Sequence, residues 1–144
     1  MKKIRNLAAA LVVAASLFTA CSSSGLAGLG STMELVNSLG KLGISPEQAI
    51  GGIGSLLSLA NFKLDPADFS KVSGAFPDLE NIMNKTKELG IDASSITDMA
   101  GVGDAFDKLG MDSGKVTEFV PELTNFASKQ GGQEAGDLLS GVFK

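Results

Sequence analysis

The sequence predicts an all-α fold, a small bundle of about six or seven short helices whose ends are marked by glycine. Apolar residues recur three and four positions apart along most of the chain, and the alternation typical of strands is hard to find. In addition, the pattern Leu-Gly-apolar-Ser/Asp occurs three times, at residues 42–45, 89–92 and 109–112. Glycine readily adopts the left-handed conformation that ends helices, so each copy predicts a helix stop.

The first two helices follow from periodicity and capping signals. Leu35, Leu39 and Leu42 predict a first helix that begins near Thr32. The second begins with the sequence Ser-Pro-Glu-Gln at residues 45–48, which places Ser at the N-cap, Pro at N1 and Gln at N3 and so forms a capping box.

Residues 49–62, AIGGIGSLLSLANF, carry no charge on any face, and this predicts a central helix that is buried on all sides. Its glycines, Gly51, Gly52 and Gly54, predict close approach of neighbouring helices. A phosphate-binding loop is the alternative, but the spacing matches neither common glycine fingerprint and no strand precedes it.

The later helices show the same periodicity. Residues 65–68, Asp-Pro-Ala-Asp, predict another helix start, and the periodic apolar sets are Leu79, Ile82, Met83 and Leu89; Val102, Ala105, Phe106 and Leu109; Val116, Phe119, Val120, Leu123, Phe126 and Ala127; and Ala135, Leu138, Leu139, Val142 and Phe143. The units that start at Lys41 and Lys108 resemble a degenerate internal repeat, and an internal duplication stays open.

The N-terminal segment has the pattern of an export signal. Three basic residues and no acid precede an uncharged, apolar run over residues 7–20, which is too short to span a bilayer. Thr19 and Ala20 before Cys21 resemble the lipobox of bacterial prolipoproteins. We therefore expect residues 1–20 to be a signal peptide that is removed, and Cys21 to be the lipidated first residue of the mature protein.

Cys21 is the only cysteine, so no internal disulfide is possible. Several acyl chains on one residue hold a protein firmly on a membrane. Ser22 resembles the residue that follows the cysteine in lipoproteins sorted to the outer membrane. We expect a lipid anchor in the bacterial outer membrane, a flexible tether over residues 21–31, and a single helical domain over residues 32–144 that faces the periplasm.

The composition of the mature chain argues against a nucleic-acid partner. It has nine lysines against 16 acidic residues and no Arg, His, Trp or Tyr. Nucleic-acid binding needs a basic groove and stacking aromatic side chains, and both are missing. We expect no nucleic-acid partner.

Catalysis and metal binding are also disfavoured by the residue types present. A serine nucleophile has no histidine base, zinc has no His or Cys ligands, and residues 104–118 lack the alternating acids of a calcium loop. Two carboxylate pairs, Asp65 with Asp68 and Asp104 with Asp107, are better explained as helix caps and a solvated face, although a carboxylate-based hydrolase is a less favoured alternative. We therefore expect that the protein is not an enzyme and that it binds neither a metal nor a cofactor.

Pro121 interrupts the periodic run over residues 115–129, where it lacks the amide hydrogen that would bond to Thr117. In one interpretation, Pro121 only bends a long helix around the core. In the other, the kink opens a groove for a partner helix or an acyl chain. This candidate binding groove is formed by Phe119, Val120, Pro121, Leu123 and Phe126.

Several motifs recur in an order that resembles one known family: LGISPEQAIGGIGSLL at residues 42–57, LDPADF at 64–69, FDKLGM at 106–111, FVP at 119–121, and QGG at 130–132 before Leu138 and Leu139. Over about residues 35–143 the chain resembles the VcgC/VcgE-type bacterial domain of unknown function. The resemblance implies a fold but no activity, cofactor or catalytic position.

Two functions remain open for the mature domain. In the first, the domain is a non-catalytic interaction or structural domain that binds another envelope protein. In the second, it is a carrier of an apolar ligand or lipid inside the bundle. A sealed core favours the first function, and an interior tunnel of a few hundred Å³ favours the second.

Overall fold

A computed structural model describes residues 30–144. The predicted signal peptide, Cys21 and most of the predicted tether lie outside these residues. The described part contains seven α-helices and two short 3₁₀ turns, and it contains no strand: α1 Thr32–Gly40, α2 Pro46–Lys63, α3 Pro66–Gly74, α4 Leu79–Glu88, the turn Ala93–Ser95, α5 Met99–Lys108, the turn Ser113–Lys115, α6 Val116–Gly131 and α7 Gln133–Val142. The prediction of a small all-α bundle is confirmed.

Helix α2 is the centre of the bundle. All twelve residues from 49 to 60 are buried, and α1, α3, α4, α5, α6 and α7 all contact this helix. An uncharged helix can be covered in this way because none of its side chains needs water. The prediction of burial extends too far, however, because Asn61 and Phe62 are exposed.

The predicted helix starts at Ser45 and Asp65 are confirmed. Ser45 and Gln48 form a capping box, in which the Gln48 amide donates to Ser45 Oγ at 3.3 Å and the Ser45 amide donates to Gln48 Oε1 at 3.0 Å. Asp65 Oδ1 accepts from the Asp68 amide at 3.1 Å. Each cap satisfies an amide that the helix itself leaves free.

The three glycine stops are confirmed as well. Gly43, Gly90 and Gly110 have positive φ angles of 80°, 83° and 74°. In each case the amide of the following apolar residue donates back to a carbonyl five positions earlier: Ile44 to Leu39, Ile91 to Thr86 and Met111 to Phe106. These are Schellman motifs, and Ile44, Ile91 and Met111 are buried. The glycines therefore end α1, α4 and α5.

The Ser or Asp after each stop suits an N-cap by residue type, but only Ser45 caps an α-helix directly. Asp92 and Asp112 accept from the amides of Ser94 and Gly114 and so cap the two 3₁₀ turns. The first turn brings Ile96 into the core, which explains why an α-helix does not start at once. Helix α5 begins later, with Asp98 as its N-cap.

Three glycines of α2 lie where other helices approach closely. A methyl group on Gly51 would lie 2.7 Å from Leu109 Cδ2, and one on Gly52 would lie 2.7 Å from Phe119 Cζ. A methyl group on Gly54 would overlap the side chain of Thr86. These glycines are therefore packing positions in the middle of a buried helix.

Candidate functional site

The candidate groove on α6 consists largely of core residues. Phe119 and Leu123 are fully buried, and Phe126 is 4% exposed. The Phe119 ring makes an edge-to-face contact with Phe106 at 4.9 Å between centroids, and Phe126 packs on Phe76 at 5.3 Å. Such contacts stabilise the core in addition to the burial itself. A ligand would have to displace these rings.

Helix α6 runs unbroken from Val116 to Gly131, so it does not restart at Pro121. Of the five groove residues, only Pro121, which is exposed, and Val120, which is half-buried, lie near solvent. The groove hypothesis therefore requires a movement of α6 away from its neighbours.

The cleft nearest to these residues lies between α1 and α6. It has a volume of about 30 Å³ and its lining includes Phe126 and the polar residues Ser38 and Glu122. Ser38 Oγ donates to Glu122 Oε2 at 3.0 Å across it. A space of this size holds no helix or acyl chain.

The carboxylate pairs lie on the surface. Asp65 caps α3, and Lys71 binds Asp68 at 3.3 Å and Glu134 at 2.6 Å. The hydrogen bond that Lys71 donates to Glu134, followed by the one that it donates to Asp68, raises the pKa of Lys71. These contacts link α3 to α7, and exposed pairs of this kind contribute little stability.

Asp104 and Asp107 are exposed on α5, as expected for a solvated face. Within residues 30–144, no three acidic, His or Cys side chains are grouped in a way that suits a metal ion.

Asp92 is the acidic residue whose charged form the structure stabilises most clearly. Its Oδ1 accepts from the Ser94 hydroxyl at 2.7 Å and from the Ser94 amide at 3.0 Å. These hydrogen bonds, with smaller contributions from Lys108 and Lys87, lower the pKa of Asp92. Asp92 is exposed and caps a turn, so its arrangement is explained by structure.

The buried residues of the described part form one hydrophobic core. Every buried side-chain nitrogen or oxygen atom in residues 30–144 has a hydrogen-bond partner. Ser55 and Ser58, the buried hydroxyls of α2, donate to the carbonyls of Gly51 and Gly54, both at 2.7 Å. The larger clefts, of about 480 and 620 Å³, open to solvent at the surface.

The bundle has two ends, separated by the length of α2. At the N-terminal end of α2, Gln48 Nε2 donates to the Leu109 carbonyl at 3.1 Å, and Leu89 packs on Gly51. The three helices that are followed by a Schellman glycine, α1, α4 and α5, therefore finish together here, and Leu42 and Leu89 are 40% and 36% exposed. We call this the leucine end.

At the other end, α4 runs antiparallel to α2. Gly54 faces Thr86, and one turn further along α2, Ser58 Oγ lies 3.9 Å from Met83 Sδ. The last turn of α2 carries Phe62, which is 62% exposed. The sequence contains no local signal for this exposure, because it depends on which helices cover the last turn of α2.

No helix in the part that the structure describes is long and apolar enough to cross a membrane. The predicted lipid attachment at Cys21 falls outside that part and stays a prediction.

Comparison with known proteins identifies a family but no characterised relative. Neither the curated proteins nor the solved structures contain a match. The model of one family, described as protein of unknown function VcgC/VcgE, matches residues 7–143. The match is longer than the resemblance over residues 35–143 indicated, and it includes Cys21 and the whole apolar run before it. The chain therefore belongs to the VcgC/VcgE family of proteins of unknown function (DUF2780).

Proposed function

We propose that the protein is a lipoprotein of the outer membrane that holds a non-catalytic helical domain in the periplasm, where the domain binds another envelope protein. The packing around α2 is the observation that carries this proposal. With α2 buried over residues 49–60 and the buried polar atoms of the described part all paired, no buried polar group is left to orient a ligand inside the bundle, which favours recognition at the surface.

The N-terminal sequence supports the membrane part of the proposal. Lys2, Lys3 and Arg5, the apolar run over residues 7–20 and Cys21 have the order and length of a lipoprotein signal. Acyl chains on Cys21 would hold the domain at the bilayer without a spanning helix. Cleavage before Cys21 leaves the acidic domain outside the cytoplasm.

The alternative function, transport of an apolar ligand inside the bundle, needs an interior space of a few hundred Å³. The described clefts are open at the surface, and the one of about 480 Å³ has Lys63, Glu134, Asp137 and Lys144 among its lining residues. Charged walls of this kind favour contact with water or a polar partner over storage of a lipid tail.

Native mass spectrometry of the protein purified from its own host tests the choice between these functions. We expect a defined mass increment that corresponds to a second polypeptide. A stoichiometric apolar small molecule that survives removal of detergent would contradict the interaction proposal and support the carrier. Leu123→Ala serves as the control for the carrier function, because it enlarges the interior without changing the surface. Circular dichroism checks that this variant is folded.

A further inference from the structure

Phe62 is the most exposed large hydrophobic side chain in the described part of the chain, with 62% of its surface accessible. It lies in the last turn of α2, between the exposed residues Asn61 and Lys63. A single exposed apolar residue is common on proteins and does not by itself indicate a partner. The position of Phe62 relative to the start of the domain supplies the second observation.

The chain enters the bundle at the same end. If the antiparallel packing of Gly54 on Thr86 and of Ser58 on Met83 continues by one turn, it places Phe62 level with Leu79, the first residue of α4. Asp78, directly before it, accepts hydrogen bonds on Oδ2 from the amides of Ser31 and Thr32, at 3.1 and 3.4 Å. The carboxylate of Asp78 thus fixes the start of α1 near the exposed aromatic side chain.

The length of chain before this point limits how far this end can be from an anchor at Cys21. Ser31 lies ten positions after Cys21, and a flexible chain of ten residues has a root-mean-square span of about 17 Å. The leucine end lies farther from Ser31 by the length of α1, whose 9 residues extend about 14 Å at 1.5 Å per residue. A short tether keeps the nearer end at a high effective concentration at the bilayer.

We propose that the Phe62 side chain inserts into the lipid surface that holds the anchor and orients the domain with its leucine end away from the membrane. This inference rests on the lipid anchor of the proposed function. Insertion removes the exposed ring from water, and a residue too weak to bind a membrane alone suffices when the tether holds it there. In the adjacent cleft the two lysines, Lys63 and Lys144, are balanced by two acidic residues, Glu134 and Asp137, so the ring, and not net charge, provides the contact.

The composition of the chain permits a direct test. The protein contains no Trp and no Tyr, so Phe62→Trp introduces a unique fluorophore at the proposed contact. Leu42→Trp is the matched control, since Leu42 is also exposed and lies at the leucine end. Both full-length proteins are purified from cell membranes with their acyl chains and reconstituted into vesicles whose phospholipids carry brominated acyl chains, which quench tryptophan on contact.

We expect the brominated lipid to quench the Phe62→Trp protein at least twofold more than the Leu42→Trp protein, with a shift of its emission to shorter wavelength. Equal quenching of both variants, or stronger quenching of Leu42→Trp, overturns the inference. The intact mass and the sedimentation of each protein with vesicles are measured on the same samples. An anchored protein without selective quenching refutes the orientation alone, whereas a protein without acyl mass refutes the anchor and the orientation together.

Discussion

Gly54 of α2 and Thr86 of α4 face each other so closely that a methyl group on Gly54 would overlap the Thr86 side chain. Thr86 Oγ1 donates to the Ile82 carbonyl at 2.7 Å, and it lies 3.5 Å from the Ile50 carbonyl. The threonine is therefore held by its own hydroxyl, and it has little freedom to move away. The pair sets the distance between the central helix and α4.

Gly54→Ala is expected to lower the free energy of unfolding by about 1 to 3 kcal/mol because it overpacks this contact, and Gly54→Leu by at least as much. Gly103→Ala is the matched control, since only Ser113 Cβ lies near that position, at 3.6 Å. This control should gain up to about 1 kcal/mol from helix propensity. Urea denaturation measures both changes. A neutral Gly54→Ala would show that α4 does not pack closely on α2.

Asp65→Ala removes the side chain that accepts the Asp68 amide at the start of α3. We expect a loss of about 1 kcal/mol in the free energy of unfolding, since the freed amide has no replacement partner within the helix. Asp104→Ala changes an exposed acid in α5 and should alter stability by less than about 0.5 kcal/mol. Equal effects of the two substitutions in thermal denaturation would remove the capping role of Asp65.

Pro121→Ala restores an amide that can donate to the Thr117 carbonyl within α6, and we expect it to stabilise the domain by up to about 3 kcal/mol. Because Phe119 and Leu123 are already buried, capture of a partner should not change. Thermal denaturation and quantitative co-purification test both statements. A stabilised variant with weaker capture would instead support the groove on α6.

Stability should fall in acid partly because of Asp92. Its pKa is lowered in the folded state by Ser94, so the stabilisation is present above the ordinary pKa of about 4 and is lost as the pH falls through the lower folded value. Asp92→Asn should therefore flatten the dependence of the unfolding free energy on pH below about pH 4. Ser94→Ala keeps the carboxylate and should reproduce part of this effect. An unchanged slope in both variants would contradict it.

The sequence predicts those features of the fold that depend on neighbouring residues. The capping box of Ser45 and Gln48 and the left-handed Gly90 are local, so their motifs are sufficient. The exposure of Phe62 and the burial of Phe119 depend on which helices cover them. Phe119 packs on Gly52, 67 positions earlier, and no periodic pattern in α6 encodes that contact. For this reason the periodic pattern predicts a groove on residues that the structure buries in the core.

The position of the two ends of the bundle is likewise a tertiary property. Leu89 and Leu109 are separated by 20 residues in sequence, yet both pack on Gly51. Their repeated motif predicts that two helices end, but it does not predict that they end side by side at the start of α2.

The intact mass of the protein purified from membranes tests the central claim, a domain anchored through Cys21, most directly. We predict that the protein has lost residues 1–20 and gained the mass of the acyl chains on Cys21, and that Cys21→Ala retains the precursor mass without acyl chains. A parent protein with an unmodified Cys21, or a Cys21→Ala protein that is processed and bound to the membrane like the parent, would contradict the account.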